Sequence, residues 1–297
     1  LSCAGEMKGP EDDSDDRWEW GSPEEDEPVA DEDMYYPKKE GTFRIMTYNV
    51  GAFSKTEGYN STNDIAAMIQ EAKADAVGLQ ELDSCTTRKG VDLYQAKKFA
   101  EEMGPQWDFT YASALESYKD GSYGIGLVWN TDVRNAVKTF KVMLPKGEAR
   151  ETRALDVVEY EDMVVASTHL NGHASSLQPS VEIITDTLKA LYGAGDKPVF
   201  LCGDFNARPD NPSICFMREN WNILTPEGAT GVGGKNRGVV PAPQTIEEVK
   251  GGCIDYIMCL KNNAKVELVD AQICFRFETG DVFESSDHLP VFADVRF

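Results

Sequence analysis

Short apolar runs recur along this chain, and many of them stop on a carboxylate, an amide or an imidazole. Phe43 to Val50 reads as an opening strand, and Ala76-Val77-Gly78-Leu79-Gln80 as a short buried strand ending at Glu81. Between them Ile65, Met68, Ile69 and Ala72 fall at helical spacing, which predicts a helix over 62–73 with Thr62 or Asn63 as its cap. A second helix is expected over 91–103, stopped by Gly104-Pro105. Strands are then expected near 107–112, 124–129, 134–143, 153–160 and 162–168. A third helix, 179–192, carries Val181, Ile184, Leu188 and Leu191 on one face, with Pro179 near its start and Gly193 as its stop. Val199 to Cys202 is another buried strand, and the last strands are expected at 254–260, 265–273 and 289–296. The Gly- and Pro-rich stretch 226–245 reads as a long surface loop. Many strands with interspersed helices imply an α/β (α+β) architecture, two β-sheets packed face to face and flanked by helices.

Six of the stops share one grammar. They are Thr47-Tyr48-Asn49-Val50, Leu79-Gln80-Glu81, Ser167-Thr168-His169-Leu170, Gly203-Asp204-Phe205-Asn206, Ile254-Asp255-Tyr256-Ile257 and Ser286-Asp287-His288-Leu289-Pro290. Strand ends projecting into one cleft would produce this pattern, and the groups suit metal-assisted phosphoester hydrolysis. The islands run from residue 47 to residue 290 with no linker between them, so one domain is expected over 41–297.

Charge changes the picture at the N-terminus. Residues 1–40 hold 15 acidic and 4 basic side chains, a net of −11 out of −22 for the whole chain. With its prolines and sparse aliphatic content this leader is expected to be a flexible tether, a reading qualified by Trp18, Trp20, Tyr35 and Tyr36. Leu1-Ser2-Cys3-Ala4 resembles the cleavage region of a bacterial lipoprotein, so lipidation at Cys3 would make the chain an exported, membrane-tethered or periplasmic protein. The plainer alternative is a stray N-terminal cysteine. No apolar run approaches the roughly 18 residues that span a bilayer. The other six cysteines lack paired CxxC spacing and read as thiols, with Cys253 able to bridge in an oxidising compartment.

These islands, in this order, resemble the endonuclease/exonuclease/phosphatase family, the deoxyribonuclease-I-like superfamily. Glu81-Leu82-Asp83 with Arg88, Gly121-Ser122-Tyr123-Gly124-Ile125-Gly126 and Arg153 add to the likeness, which extends from about residue 43 to residue 297. The resemblance implies a four-layer α/β/β/α sandwich with two packed mixed β-sheets, and phosphoester hydrolysis with Mg²⁺ or Mn²⁺. By resemblance Asn49 and Glu81 hold the metal and Asp287 faces it. Asp204 and Asn206 orient the attacking water and bind phosphoryl oxygens. Asp255 orients His288, and His169 contacts the phosphate or protonates the leaving group. Which histidine is acid and which is base stays open. Tyr123, Arg153 and Arg88 are candidate phosphate neighbours, with a sheet-packing tyrosine and surface arginines as the alternatives. His173, after Asn171-Gly172, reads as a loop residue near the cleft rather than a zinc ligand.

Substrate is the open axis. A nuclease or related phosphodiesterase would need a local basic groove despite the acidic balance, with Lys235 and Arg237 as candidates for its rim. A phosphatase or phosphodiesterase acting on phospholipid head groups, sugar phosphates or inositol phosphates is the second reading. A non-catalytic surface module on the same fold is the third, and the intact residue set argues against it. No protein partner is implied, and a monomer is expected.

Overall fold

The protein is described by a computed structural model covering residues 35–53 and 61–297. Cys3, Trp18, Trp20 and the acidic runs of the leader lie outside the described residues. In chain order the first elements are β1 (Phe43–Asn49), α1 (Ser61–Glu71), β2 (Ala76–Ser84), α2 (Gln95–Met103) and β3 (Trp107–Phe109). Then come β4 (Ala112–Tyr118), β5 (Gly121–Asn130), β6 (Ala136–Leu144), β7 (Arg153–Tyr160) and β8 (Val164–His169). The chain closes with α3 (Ala174–Tyr192), β9 (Val199–Asp204), α4 (Pro212–Asn220), β10 (Trp221–Ile223), β11 (Asp255–Leu260), β12 (Glu267–Ile273), α5 (Val282–Ser285) and β13 (Val291–Arg296).

Two mixed sheets result. The first runs β12-β13-β1-β2-β5-β3, with β4 also on β5; the second runs β10-β11-β9-β8-β7-β6. Only the β1–β2 and β8–β9 pairs are parallel among the named ladders, and both sit at the centre of their sheets. Strands β1, β8, β9 and β11 are buried at every position because each sheet is covered on both faces, which is why they read as continuous apolar runs. Ile65, Met68, Ile69 and Phe99 of the first two helices pack on Val77 and Leu79 of β2. Val181, Ile184 and Leu188 of α3 pack on Leu201 and Met258 on the far side. Ile45, Leu127, Val165, Phe200 and Ile257 fill the space between the sheets. This is the four-layer sandwich that the resemblance implied.

At the centre the sheets approach closely. A methyl group on Gly78 would lie 2.5 Å from the Cys202 sulfur and 2.8 Å from Ser167 Oγ, so a bare backbone is needed there. Beside it Gln80 Nε2 donates to Ser167 Oγ at 3.1 Å, a polar bridge from β2 to β8 directly beneath the strand ends. Arg44 in β1 is fully buried and meets Asp294 of β13 through two bonds of 2.7 Å. It also donates to the carbonyls of Tyr36 and Ala72, so the buried charge is fully hydrogen-bonded.

Several boundaries differ from those expected. Residues 35–40 fall on the leader side, yet Tyr36 is 5% exposed and its hydroxyl accepts from the Phe275 and Arg276 amides. The strand expected over 107–112 is two, broken at Thr110 and Tyr111. The third helix begins at Ala174 rather than 179, because His173 caps it by accepting from Ser175 N at 3.4 Å. Helix α4 was not anticipated; Asn211 caps it and Pro212 opens it. The Gly-rich stretch is a loop, as expected, but not wholly at the surface: Thr230, Val232 and Asn236 are buried within it. The six cysteines among the described residues are free thiols, Cys253 included.

Candidate active site

The register of the parallel pairs places the polar stops in one row. Asn49 of β1 lies opposite Gln80 of β2, and Glu81 is the next residue. In the second sheet His169, Asp204 and Asp255 are successive partners on β8, β9 and β11. Strand β13 runs antiparallel to β1, so the segment before it, with His288, returns to the same end.

Local backbone geometry aims these groups. Glu81 sits in a β-bulge between Gln80 and Leu82 with φ of 61°, a left-handed conformation. Asn206 has φ of 49°, and Gly203 has φ of 150° where an added Cβ would collide with the Thr168 carbonyl oxygen. Strained positions of this kind at strand ends are where sites cluster.

Asn49 ties the two sheets together. Its Nδ2 donates to Glu81 Oε1 at 3.1 Å and to Asp204 Oδ2 at 3.0 Å, while its Oδ1 accepts from Gly51 N at 3.1 Å. The amide therefore faces the carboxylates with its NH₂ end, and would have to turn over to offer its oxygen to a metal ion. Asp204 Oδ2 lies between two imidazoles, 3.5 Å from His169 Nε2 and 3.6 Å from His288 Nε2. Its other oxygen accepts from Asn206 N at 2.8 Å. Asn206 Nδ2 donates to the Leu170 carbonyl at 2.9 Å and faces His169 Nε2 at 3.1 Å. With both amide hydrogens so placed, the lone pair of a neutral His169 is on Nε2.

His288 is backed by Asp255, whose carboxylate oxygens are 2.9 and 3.2 Å from Nδ1. The pair is held from three sides. Thr230 Oγ1 accepts from the Asp255 amide at 3.0 Å, Ser286 Oγ accepts from the His288 amide at 3.2 Å, and Gly231 bridges to His288. Ser286 in turn donates to the Asn49 carbonyl at 2.5 Å. The Asp287 carbonyl accepts from Val232 and Gly233, so the Gly-rich segment clamps the terminal motif.

Electrostatics follow from this crowding. Burial, then the neighbouring Asp255 carboxylate, push Asp204 up to about 7 against the opposing effect of His288 and of its hydrogen bonds. Burial on its own would depress His288. Asp255, by charge and hydrogen bond, with Asp204 and Asp287, outweighs it and raises the imidazole to about 10. The row is over-supplied with negative charge. Hard carboxylate oxygens from Glu81, Asp204 and Asp255 in a partly dry setting fit a divalent cation. Ligand atoms of Asp204, Asp255 and His288 lie within 4.8 Å of one another. Since Asp255 is engaged with His288, the Glu81–Asp204 side is the better place for a hard ion.

The candidate phosphate neighbours divide. Tyr123 is buried, with its phenol raised above the ordinary range by burial and the nearby Glu81, and lowered in part by Arg153. Arg153 Nε donates to Asn171 Oδ1 at 3.2 Å, and its Nη1 lies 3.3 Å from Glu151, so a cation is fixed beside the row. Arg88 is committed elsewhere: its fork grips Asp83 through two bonds of 2.7 Å and lies over the Tyr118 and Tyr123 rings. It braces Tyr123. Of the proposed rim residues, Arg237 donates to the Phe283 carbonyl, while Lys235 is exposed. Asn171, Thr230 and Ser286 were given no role in the sequence reading. Two residues from His169 and His288, Asn171 and Ser286 could have been found by position, whereas Thr230 is 25 residues from Asp255 and left no local signal.

No curated protein matches the chain by sequence. Solved structures do match in fold. An endonuclease/exonuclease/phosphatase from Bacteroides vulgatus has a TM-score of 0.64 at 18% identity, covering 86% of this chain and 99% of that one. A mannosyl-6-phosphatase from Bacteroides thetaiotaomicron scores 0.62 at 18% identity, covering 86% and 100%. The human Nocturnin catalytic domain with a bound sulfate anion scores 0.60 at 17% identity, covering 87% and 94%. Residues 46–288, which contain every strand end of the row, match the model of the endonuclease/exonuclease/phosphatase family, and the chain belongs to that family.

Proposed function

We propose that the chain is a divalent-metal-dependent phosphoester hydrolase whose substrates are small phosphoesters. The observation that carries this reading is the continuous contact row from Glu81 through Asn49 and Asp204 to His288 and Asp255. Hydrolysis needs a positioned water, a proton acceptor, a donor for the leaving oxygen and neutralisation of the phosphoryl charge. Asp204 and the His288 Nε2 edge orient the water. His288, fixed in tautomer by Asp255, takes its proton as the new oxygen–phosphorus bond forms. His169 and Asn206 face the leaving oxygen. A protonated His169 gives its Nε2 proton to that oxygen as the bond to phosphorus breaks, and is left neutral with its lone pair on Nε2 toward Asn206 Nδ2. Arg153 and Tyr123, in contact with each other and near Glu81 and Asn171, are the groups that would meet the phosphoryl oxygens. Glu81 and Asp204, with Asp287, would hold a divalent cation, which would supply further charge neutralisation and offset the carboxylates that hold a proton on His288.

Small substrates are favoured by charge. Residues 41–297 carry 36 acidic and 25 basic side chains, a poor field for a long polyanion. Of the solved structures similar in fold, one is a mannosyl-6-phosphatase and another holds a sulfate anion, which favours a small phosphoester as the substrate. The test is a hydrolysis screen with Mg²⁺, Mn²⁺ or EDTA on p-nitrophenyl phosphate, bis-p-nitrophenyl phosphate, sugar and inositol phosphates, sphingomyelin, RNA and supercoiled DNA. EDTA-sensitive turnover of small esters is expected. Turnover that survives EDTA, or that is confined to nucleic acid, would overturn the reading.

A further inference from the structure

A cavity of about 510 Å³ adjoins the row and has no part in the steps above. Its lining includes Arg208, Asp210, Glu227, Gly251, Gly252 and Cys253. Three covalent or hydrogen-bonded links tie it to the reacting groups. Arg208 follows Asn206 by two residues, Cys253 precedes Asp255 by two, and Gly252 pairs with Gly231, which pairs with His288. A group attached to a phosphate held at the row would therefore have this cavity within reach.

Its chemistry is mixed. Arg208 is exposed, and among the described residues it makes no ion pair and its side chain makes no hydrogen bond. The guanidinium lies over a bare floor: a Cβ on Gly252 would meet Arg208 Nε and Nη2 at 3.5 Å. Gly251 is bare by necessity, since its Cβ would come within 2.6 Å of the Gly231 carbonyl oxygen. Among the described residues Asp210 has no ionic partner either, whereas Glu227 pairs with Arg218 at 3.1 Å. A second phosphate would be drawn by Arg208 but repelled by Asp210 and Glu227. A hydroxyl both donates and accepts, so a hydroxyl-rich group satisfies the guanidinium and the carboxylates together. Volumes of roughly 300–1,000 Å³ are usual for small-ligand sites.

We propose that Arg208, Asp210 and the Gly251–Gly252 floor form the subsite for the non-reacting part of the substrate, and that this part is a sugar or polyol. The proposal rests on the phosphoesterase reading of the neighbouring row. It makes Arg208 a specificity-determining residue.

The experiment uses the full chain with Mg²⁺, with glucose 6-phosphate, p-nitrophenyl phosphate and a single-stranded DNA oligomer as substrates. The readout is the ratio of kcat/KM for glucose 6-phosphate to that for p-nitrophenyl phosphate. In Arg208→Ala the ratio is expected to fall about tenfold or more, through KM, as loss of a charged hydrogen-bonding group implies. Gly252→Ala, which meets Arg208 only at contact distance, is expected to lower the ratio in the same sense. A separate readout needs no turnover: in His288→Ala, glucose 6-phosphate is expected to slow alkylation of Cys253, read by peptide mass spectrometry. An unchanged ratio in both variants would overturn the subsite while leaving the phosphoesterase reading intact, as would preference for the oligomer over the sugar phosphate. Protection of Cys253 in a wild-type enzyme that hydrolyses none of the three would instead sink the phosphoesterase reading and leave a sugar-phosphate binding site.

Discussion

At the scale of residues, Asp204 and Asp156 are both buried carboxylates raised to about 7, with different consequences. Asp204 shares its surroundings with Glu81, two histidines and a second aspartate, and a cation would relieve the crowding. Glu81→Gln removes one of the charges that favour the ion. It is expected to raise the Mg²⁺ concentration for half-maximal activity about 10–100-fold, read from a metal titration. Asp156 is far simpler. It is held between the sheets by Thr110 Oγ1 at 2.6 Å, and burial is the main cause of its raised value. Between about 4 and 7 the unfolded chain has lost this proton while the folded protein keeps it, so stability falls as pH rises through that window and is flat above it. Asp156→Asn keeps the acceptor without the charge. Its melting temperature is expected to exceed that of the wild type by several degrees at pH 8 and by little at pH 4, a contrast of about 2–4 kcal/mol. Equal shifts at both pH values would contradict the buried charge.

At the scale of elements, the site depends on where strands stop. Gly203 is the position where β9 passes the Thr168 carbonyl with a φ that side chains avoid, one residue before Asp204. Gly203→Ala is expected to cost at least about 2–3 kcal/mol in chemical denaturation and to cut activity as Asp204 is displaced. Near-wild-type stability would mean that β9 can be rebuilt without this approach. Much of this level was legible in the chain. Strands β1, β2, β8, β9 and β11 are apolar runs with one polar terminus, and burial on both faces makes such runs conspicuous. The rest was hidden for physical reasons. Helix α4 has only Ile214 and Met217 fully buried, too short an apolar stripe to mark it, though Asn211-Pro212 was a cap signal. The Gly-rich stretch has loop composition but acquires order from hydrogen bonds to Asp287 and Gly252, and such long-range pairings leave no local period. Arg88 and Arg153 look alike in sequence. Their partners, Asp83 for one and Asn171 with Tyr123 for the other, separate a brace from the residue we propose as a phosphate neighbour.

Over the whole molecule, the charge is divided between an acidic leader and a domain whose reacting groups gather at one end of two sheets. The domain boundary we propose lies before Tyr36 rather than at residue 41. Tyr36 packs against Phe277 and Phe292, its carbonyl accepts from the buried Arg44, and Lys38 reaches Asp75 at 2.5 Å. A chain beginning at Met34 is expected to melt with the full-length protein. One beginning at Gly41 is expected to be destabilised by about 3–5 kcal/mol, the usual scale for losing a large buried aromatic residue. Indistinguishable melting curves for the two would place residues 35–40 outside the folded domain.

The central claim is that Asp204 and the Asp255-supported His288 carry out metal-dependent attack of water on phosphorus. The most direct measurement is the initial rate of p-nitrophenyl phosphate hydrolysis at saturating Mg²⁺ by the wild type, His288→Ala and Asp204→Asn, with circular dichroism as a check on folding. Rates lower by about 10²–10⁴-fold in both folded variants are predicted, the scale of a lost general acid–base group. Either folded variant turning over at close to the wild-type rate would contradict the account.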